Sequence, residues 1–520
     1  MFLKCLFPFY SSAQSKKKYK DHPILTIIPP PENSFDLLVI GAGSAGIKAA
    51  VSAAKLGAKV ALADYATPLQ KDTPNENVCL NIESIPKELF YFASNLGYQQ
   101  DDLDATGWKA DREKSQDWRK TTKKITEYIK QFQCDVQHSL TENGVKYYNM
   151  TARFIDKCTV ELANPQTKKK EIVTAKNILI AVGAKPRFLY DIPREHIITS
   201  EEMFYLDKNP GKTLVVGAGA TALECAGFLR GFGNDVTIMV RSVVLRDFDQ
   251  NCAAKVRQYM EFKGIKFIDN SIVSHIQKAK KGRKKVNWLN REHGTLHFEE
   301  YDTVIVAIGR NADTDQLNLE AAGVAYDQDT LKILTDEADQ TNISSIYCLG
   351  SCAYDGGKGA GSAIDLAGDL LSQRLFGNSA KLMKYKMVAR TVLSPLEYSF
   401  IGYTEEEARD KFGKENIIGY HSVFKPLEWT YVDKYPKDVC YVKMVCQKDQ
   451  NEKIVGLHYV GPNAGEIMQG FATAISLGAT KQSFADTVGI HPTCAEEILD
   501  LVITTDKEPF TDEDCKGCGF

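Results

Sequence analysis

The chain has 520 residues, 43% of them hydrophobic and 25% charged, with 64 Lys and Arg against 67 Asp and Glu for a formal charge of -3. That length exceeds what one hydrophobic core fills, so about two or three domains are expected, and the balance of charge speaks against nucleic-acid or anionic-membrane partners. No apolar run approaches the roughly 20 residues of a membrane-spanning helix, and 13 cysteines lie scattered without the spacing of a secreted disulfide scaffold, which fits a reducing compartment.

Residues 1–34 read as an appendage, with no acid before Asp21 and a stiff Pro29-Pro30-Pro31 at the end. Two readings stand. The missing acids resemble a transit peptide, whereas the absence of Arg and the break at Pro8 fit an ordinary extension or docking arm. The cytoplasm is the expected compartment and mitochondria the alternative.

Asp36 to Ile40 reads as a short apolar strand running into Gly41-Ala42-Gly43-Ser44-Ala45-Gly46, followed by an Ala-rich helix from Ile47 to Leu56. The first glycine permits a tight turn, the second lets a pyrophosphate approach the backbone and the third lets helix and strand pack closely, with the anion on the helix N-terminus. A second strand, Lys59 to Ala63, ends on Asp64, placed to accept hydrogen bonds from an adenosine ribose. A glycine loop in an unrelated α/β protein is the bland alternative.

The pattern recurs as Lys212 to Val216, then Gly217-Ala218-Gly219-Ala220-Thr221-Ala222 and a helix from Leu223 through Arg230. Two dinucleotides are implied. This time the second strand, Val236 to Val240, runs into Arg241 with Arg246 close behind. A guanidinium fork pairs with a 2′-phosphate that an acid would repel, so the site should prefer NADP over NAD, a solvated basic strand end being the alternative.

The second unit interrupts the first, which resumes around Val304 to Gly309. The basic run Lys278 to Lys285 reads as a solvated hairpin turn. From near Tyr385 a different segment mixes strands at Cys440 to Cys446 and Ile454 to Val460 with helices from Thr404 and Ala464. The fold class is α/β: two nested Rossmann-type dinucleotide-binding domains plus a C-terminal α+β dimerisation domain.

Nested units together with the strings TLVVGAGATALECAGFLRGFG, VTIMVRSVVLRDFDQ, LSPLEYSFIGYTEEEA, HSVFKPLEWT, VGPNAGEIMQGFA and GIHPTCAEE resemble thioredoxin reductases of the glutathione-reductase type from Asp36 onward. The resemblance implies an extension at 1–34, a FAD-binding domain at 35–194 and 306–384, an NADPH-binding domain at 195–305, an interface domain at 385–508 and a Cys-x-x-Cys tail at 509–520. It also implies a homodimer, with a thioredoxin-like protein or a larger assembly as partner.

Such enzymes pass electrons from NADPH to FAD, then to a Cys-x4-Cys disulfide, then to a mobile C-terminal pair. His491 and Glu496 match the acid/base pair, Lys87 and Glu224 an ion pair near the flavin, and Cys515 and Cys518 the tail thiols. A zinc site at the tail would need two further ligands and is set aside. Gly183 and Arg310 join the cofactor-binding set.

The flavin-side pair departs from the family: Cys79 is present but its partner is Ser84. A serine hydroxyl forms no disulfide and supplies no thiolate. The family's Gly-Gly-Thr appears as Glu76-Asn77-Val78, its Gly-Asp as Gly350-Ser351 and its nicotinamide-gating Tyr as Ala220. The expectation is a diverged, inactive reductase kept as a dimeric scaffold or subunit; the alternative is an active NADPH- and FAD-dependent reductase working through Cys515 and Cys518.

Overall fold

Apolar strands that run straight into glycines set the architecture twice. The computed structural model describes residues 33–65, 84–109, 116–354, 361–432 and 434–507. Cys79, the 76–78 string, Cys515, Cys518 and nearly all of the N-terminal extension therefore lie outside the described residues.

In the first unit, β1 (Ser34–Ile40) lies between parallel neighbours β2 (Val60–Asp64) and β6 (Lys170–Ile180). β3 (Lys146–Asn149) extends the sheet beyond β2, and β17 (Ile346–Cys348) extends it beyond β6. β4 (Thr151–Phe154) and β5 (Thr159–Ala163) form an antiparallel meander with the first half of β6. The connections carry α1 (Ser44–Lys55), α2 (Ser84–Gln99) and α3 (Trp118–Glu142). The side chain of Asp117 caps α3 by accepting from the Lys120 N–H at 3.1 Å, and Trp118, Thr122, Ile125 and Ile129 share its buried face. α8 (Gly361–Phe376) packs on α1, where Ser372 donates to the Ala49 carbonyl.

The chain leaves and re-enters this unit through an antiparallel ribbon of β7 (Ala184–Pro186) and β16 (Arg310–Ala312), followed by the single turn α7 (Leu319–Ala322). Between them lies a parallel sheet in the order β11 (Lys266–Ile268), β10 (Val236–Met239), β9 (Thr213–Val216), β15 (Thr303–Val306), β8 (Ile198–Thr199). Its helices are α4 (Ser200–Met203), α5 (Ala220–Gly231) and α6 (Gln250–Phe262).

Here the sequence reading needs correction, because the strand at Val304 does not begin the return of the first unit. β15 pairs with β9 and β8 and completes the second sheet. An apolar strand ending on glycine carries no mark of which unit owns it. The basic run behaves as expected, turning between β12 (Ser271–Lys278) and β13 (Lys284–Asn290), with β14 (Thr295–Tyr301) paired outside.

The C-terminal segment is an antiparallel sheet in the order β18 (Arg390–Val392), β19 (Tyr398–Gly402), β22 (Lys453–Val460), β21 (Cys440–Gln447), β20 (Ile417–Phe424), β23 (Ile503–Thr504). It carries α9 (Glu405–Phe412), whose capping box joins Thr404 and Glu407, with α10 (Ala464–Ser476) and α11 (Lys481–Ala485). Among the described residues no helix is long and apolar enough to cross a membrane.

One contiguous core spans the second sheet and the C-terminal sheet, running from Phe90 and Trp118 through Phe228 to Tyr441 and Leu457. At its centre is a buried ion cluster. Lys443 of β21, 2% exposed, lies 2.8 Å from Asp249 and 3.1 Å from Glu405, and Asp249 caps α6 through the Cys252 N–H. Burial pulls the Lys443 ammonium down, but Asp249 and Glu405 outweigh it and hold the lysine charged. One strand, one helix start and one helix cap from two domains thus depend on three charges. Removing a single partner leaves a buried charge uncompensated, so Lys443→Ala should cost about 3 kcal/mol. Lys443→Met combined with Asp249→Asn and Glu405→Gln should cost less; urea unfolding followed by tryptophan fluorescence measures the order.

Candidate active site and cofactor crevices

Each glycine turn, and the crevice the resemblance implies there, lies where a parallel strand meets a helix N-terminus. Gly41 has φ +107°, and a Cβ there would stand 2.3 Å from the Ala181 carbonyl oxygen. Gly217 has φ +123°, and its Cβ would stand 2.2 Å from the Ala307 oxygen. α1 starts from Gly43 and α5 from Gly219, neither with a side-chain cap, which leaves their first N–H groups for an anion. Ser44 is exposed, whereas Ala45 and Gly46 are buried under the turn.

The second-strand residues differ in sign as read from the sequence. Asp64 ends β2, and burial pushes its carboxyl up to about 6, against a hydrogen bond from the Ala42 N–H and with a smaller push from Asp313. A carboxyl so placed gains by accepting hydroxyl donors such as those of a ribose. Arg241 and Arg246 are exposed after β10, with no carboxylate bound to either among the described residues. Arg246 donates to the Ser242 hydroxyl at 2.5 Å, and the Leu245 N–H bonds the Ala218 carbonyl, pinning this loop to the second glycine turn. Arg310 is already engaged by Glu201 at 2.6 Å and by the Ala184 carbonyl. Gly183 and Gly350 both have positive φ and follow the ends of β6 and β17, with Ser351 half-buried beside them.

Between the crevices, Lys87 on the first turn of α2 reaches Glu224 of α5 at 3.0 Å. The same Glu224 oxygen accepts the Leu393 N–H at 3.1 Å, while its other oxygen, Oε2, is buried without a hydrogen-bond partner among the described residues. An orphaned buried acceptor costs stability until a donor arrives. Ser84 is the first residue of α2, three positions before Lys87, and Ala220 is the first of α5.

His491 and Glu496 come together as expected, Nδ1 lying 3.2 Å from both carboxylate oxygens. The histidine side chain is 65% exposed, beside Val488 and Ile490 at 94% and 78%. The structure therefore joins His491 to Glu496 and Lys87 to Glu224.

One group of residues had no sequence signal. Tyr91 donates to Glu397 at 2.6 Å, and Glu88 sits beside Lys87 with its carboxyl pushed up by burial and then by Glu397. Two segments distant in sequence, α2 and the stretch before β19, bring these groups together, and no spacing announces the arrival of Glu397.

Two nested Rossmann-type units, each with a glycine turn between strand and helix, define the class of fold. Residues 35–367 match the pyridine nucleotide-disulphide oxidoreductase family and residues 388–502 match that family's dimerisation domain. The Emiliania huxleyi protein named thioredoxin reductase SEP1 is 42% identical over 484 residues, covering 91% of this chain and 96% of that protein. The chain belongs to the pyridine nucleotide-disulphide oxidoreductase family and is thioredoxin reductase-like, which bears out the resemblance read from its sequence.

Asp64 supplies a pH test. With its carboxyl raised from the ordinary 3.8 to about 6, the folded protein holds the extra proton between those values. Its contribution to stability therefore falls as pH rises from about 4 to about 6 and is unfavourable above. Asp64→Asn should stabilise the nucleotide-free protein at about pH 7 and leave it unchanged below about pH 4, as read by denaturation midpoints across the range.

Proposed function

We propose that the chain is a diverged thioredoxin reductase-like homodimer that binds FAD and NADPH but does not run the family's thiol relay, serving as a scaffold or subunit of a larger assembly. Ser84 carries this reading. It stands where the family has the second flavin-side cysteine, three residues before the lysine that pairs with Glu224.

The residues fit both cofactors. The turn at Gly41, Gly43, Ser44, Ala45 and Gly46 with Asp64, Gly183 and Gly350 would hold FAD, Ser351 doing so less firmly than the aspartate the resemblance puts there. Gly217, Gly219, Arg241 and Arg246 would hold NADPH, with Arg310 assigned to the same set. The orphaned Glu224 oxygen suits an amide donor such as a nicotinamide carboxamide. Bound there, the cofactors would supply hydride transfer from nicotinamide to flavin.

Beyond that step the protein's own groups fall short. A disulfide accepts electrons when one sulfur is attacked and the other leaves as a thiolate, and Cys79 with Ser84 provides one sulfur. The homodimer reading is supported by the dimerisation-domain match and by Val488 and Ile490, which a single chain leaves in water beside His491. His491 and Glu496 would then face the partner's first unit.

Arg241 and Arg246 should favour NADPH over NADH by about 2 kcal/mol, the scale of charge-assisted phosphate contacts. Calorimetry with both nucleotides checks this, and equal affinities would remove the argument.

The relay is tested by NADPH consumption with thioredoxin present. The natural chain should show none, and Ser84→Cys should remain idle because Glu76-Asn77-Val78 and Ser351 still weaken the FAD seat. Robust turnover by the natural chain that vanishes in Cys515→Ser/Cys518→Ser would overturn the scaffold reading and establish transfer through the tail thiols.

A further inference from the structure

Two thiols outside the relay face each other inside the first unit. Cys348 closes β17 and Cys352 ends the 3-10 turn Gly350–Cys352 that follows. Their Sγ atoms are 3.5 Å apart and both residues are 0% exposed. The Cys352 sulfur also lies 3.2 Å from the Leu349 carbonyl and 3.8 Å from that of Ile180, the last residue of β6. The pair therefore sits at the carboxyl ends of β6 and β17, under the turn that bears Gly350 and Ser351.

Its chemistry differs from that of the other buried thiols. Burial pushes Cys252 and Cys440 well up, as expected of a sulfur among apolar neighbours. Cys352 is instead held below the ordinary thiol range by the Cys348 thiol and, against burial, by the N–H groups of Gly183, Cys352 itself and Val182. Facing sulfurs, one with its anion supported by backbone donors, are the arrangement a disulfide requires.

We propose that Cys348 and Cys352 form an oxidisable dithiol, closed to a disulfide by a small peroxide, and that closure alters the first crevice. The Cys352 thiolate attacks hydrogen peroxide, forming an S–O bond and breaking O–O; the departing hydroxide takes up a proton, leaving water and a sulfenic acid. The Cys348 sulfur then attacks the sulfenic sulfur, forming S–S and breaking S–O, and its proton leaves with the oxygen as a second water. Two thiols lose two electrons and one peroxide becomes two waters. Because both residues are buried, the reagent is a small uncharged one that enters through local opening. Closure shortens the sulfur separation from 3.5 Å to about 2.0 Å, across a turn whose Gly350 has φ +83°. Only this effect on the crevice rests on the dinucleotide reading; the disulfide does not.

The test treats the full chain with hydrogen peroxide, alkylates it after denaturation and maps its peptides by mass spectrometry. Cys348 and Cys352 should lose alkylation together, appear linked and recover with dithiothreitol, while Cys252 and Cys440 stay alkylatable. Cys348→Ser should leave Cys352 as a sulfenic acid that dimedone traps. If that variant fails to fold, mapping of the natural chain still decides. Retained alkylation of both residues at a peroxide dose that oxidises the exposed Cys134, or linkage of Cys352 to another cysteine, would overturn the pair. FAD titrated into reduced and oxidised protein reads the second half: affinity should fall at least threefold on oxidation. Equal affinity with the disulfide formed would refute the effect on the crevice. If neither form binds FAD, the dinucleotide reading fails together with that effect, and the mapped disulfide stands.

Discussion

Two contacts between backbone and backbone hold the architecture open. At Gly41 and Gly217 the chain turns so close to a neighbouring strand's carbonyl that a β-carbon would stand 2.3 Å and 2.2 Å from oxygen. Any side chain would push the strand end from its neighbour and lift the following helix off the sheet. The absence of a side chain is thus what brings uncapped N–H groups to the strand ends. From that one constraint follow both crevices, and their contrast is then set a strand away, by an acid in one and arginines in the other.

The crevices would be of little use if the units carrying them could drift. Lys443, Asp249 and Glu405 tie the C-terminal sheet to the helix cap of the second unit, and Lys87 with Glu224 ties the first unit to the second. His458, buried and bonded to Tyr398 at 2.8 Å, extends the first of these; burial pulls its imidazole down. Such ties position elements whether or not electrons ever cross them. A buried ion pair is weak support for net stability, yet each member is costly to lose alone, which fixes the members together.

The strands and helices around both glycine turns were legible because their signals are local: apolar runs, glycines and the residue at the second strand's end. The owner of β15 was not, since its apolar run would suit either sheet and only pairing with β9 and β8 decides. The antiparallel meander beside β6 left no mark either. Lys443 lies within Cys440 to Cys446, which reads as a strand with one polar residue; that the lysine is buried depends on Asp249, nearly two hundred positions earlier. His491 with Glu496 was read through the resemblance of GIHPTCAEE, whereas Glu397 meets Glu88 and Tyr91 of α2 only through the fold. Cys348 and Cys352 could have been noticed as Cys-x3-Cys, but the spacing alone does not turn two side chains toward each other.

The pattern of what is kept bears on what the protein does. Glu224 accepts a backbone N–H as well as Lys87, and Glu496 accepts the Thr493 N–H while holding His491. These residues have a duty in the fold besides any duty in a reaction, so their presence is what a scaffold would show as readily as an enzyme. Position 84 is different in kind, because the relay that the resemblance implies asks it for sulfur chemistry, which a serine hydroxyl does not supply. Ser351, standing where the resemblance puts an aspartate, likewise carries no charge. Where structural and chemical duties can be separated, as at position 84, the residue type bears on the proposed divergence; where they coincide, as at Glu224 and Glu496, it does not.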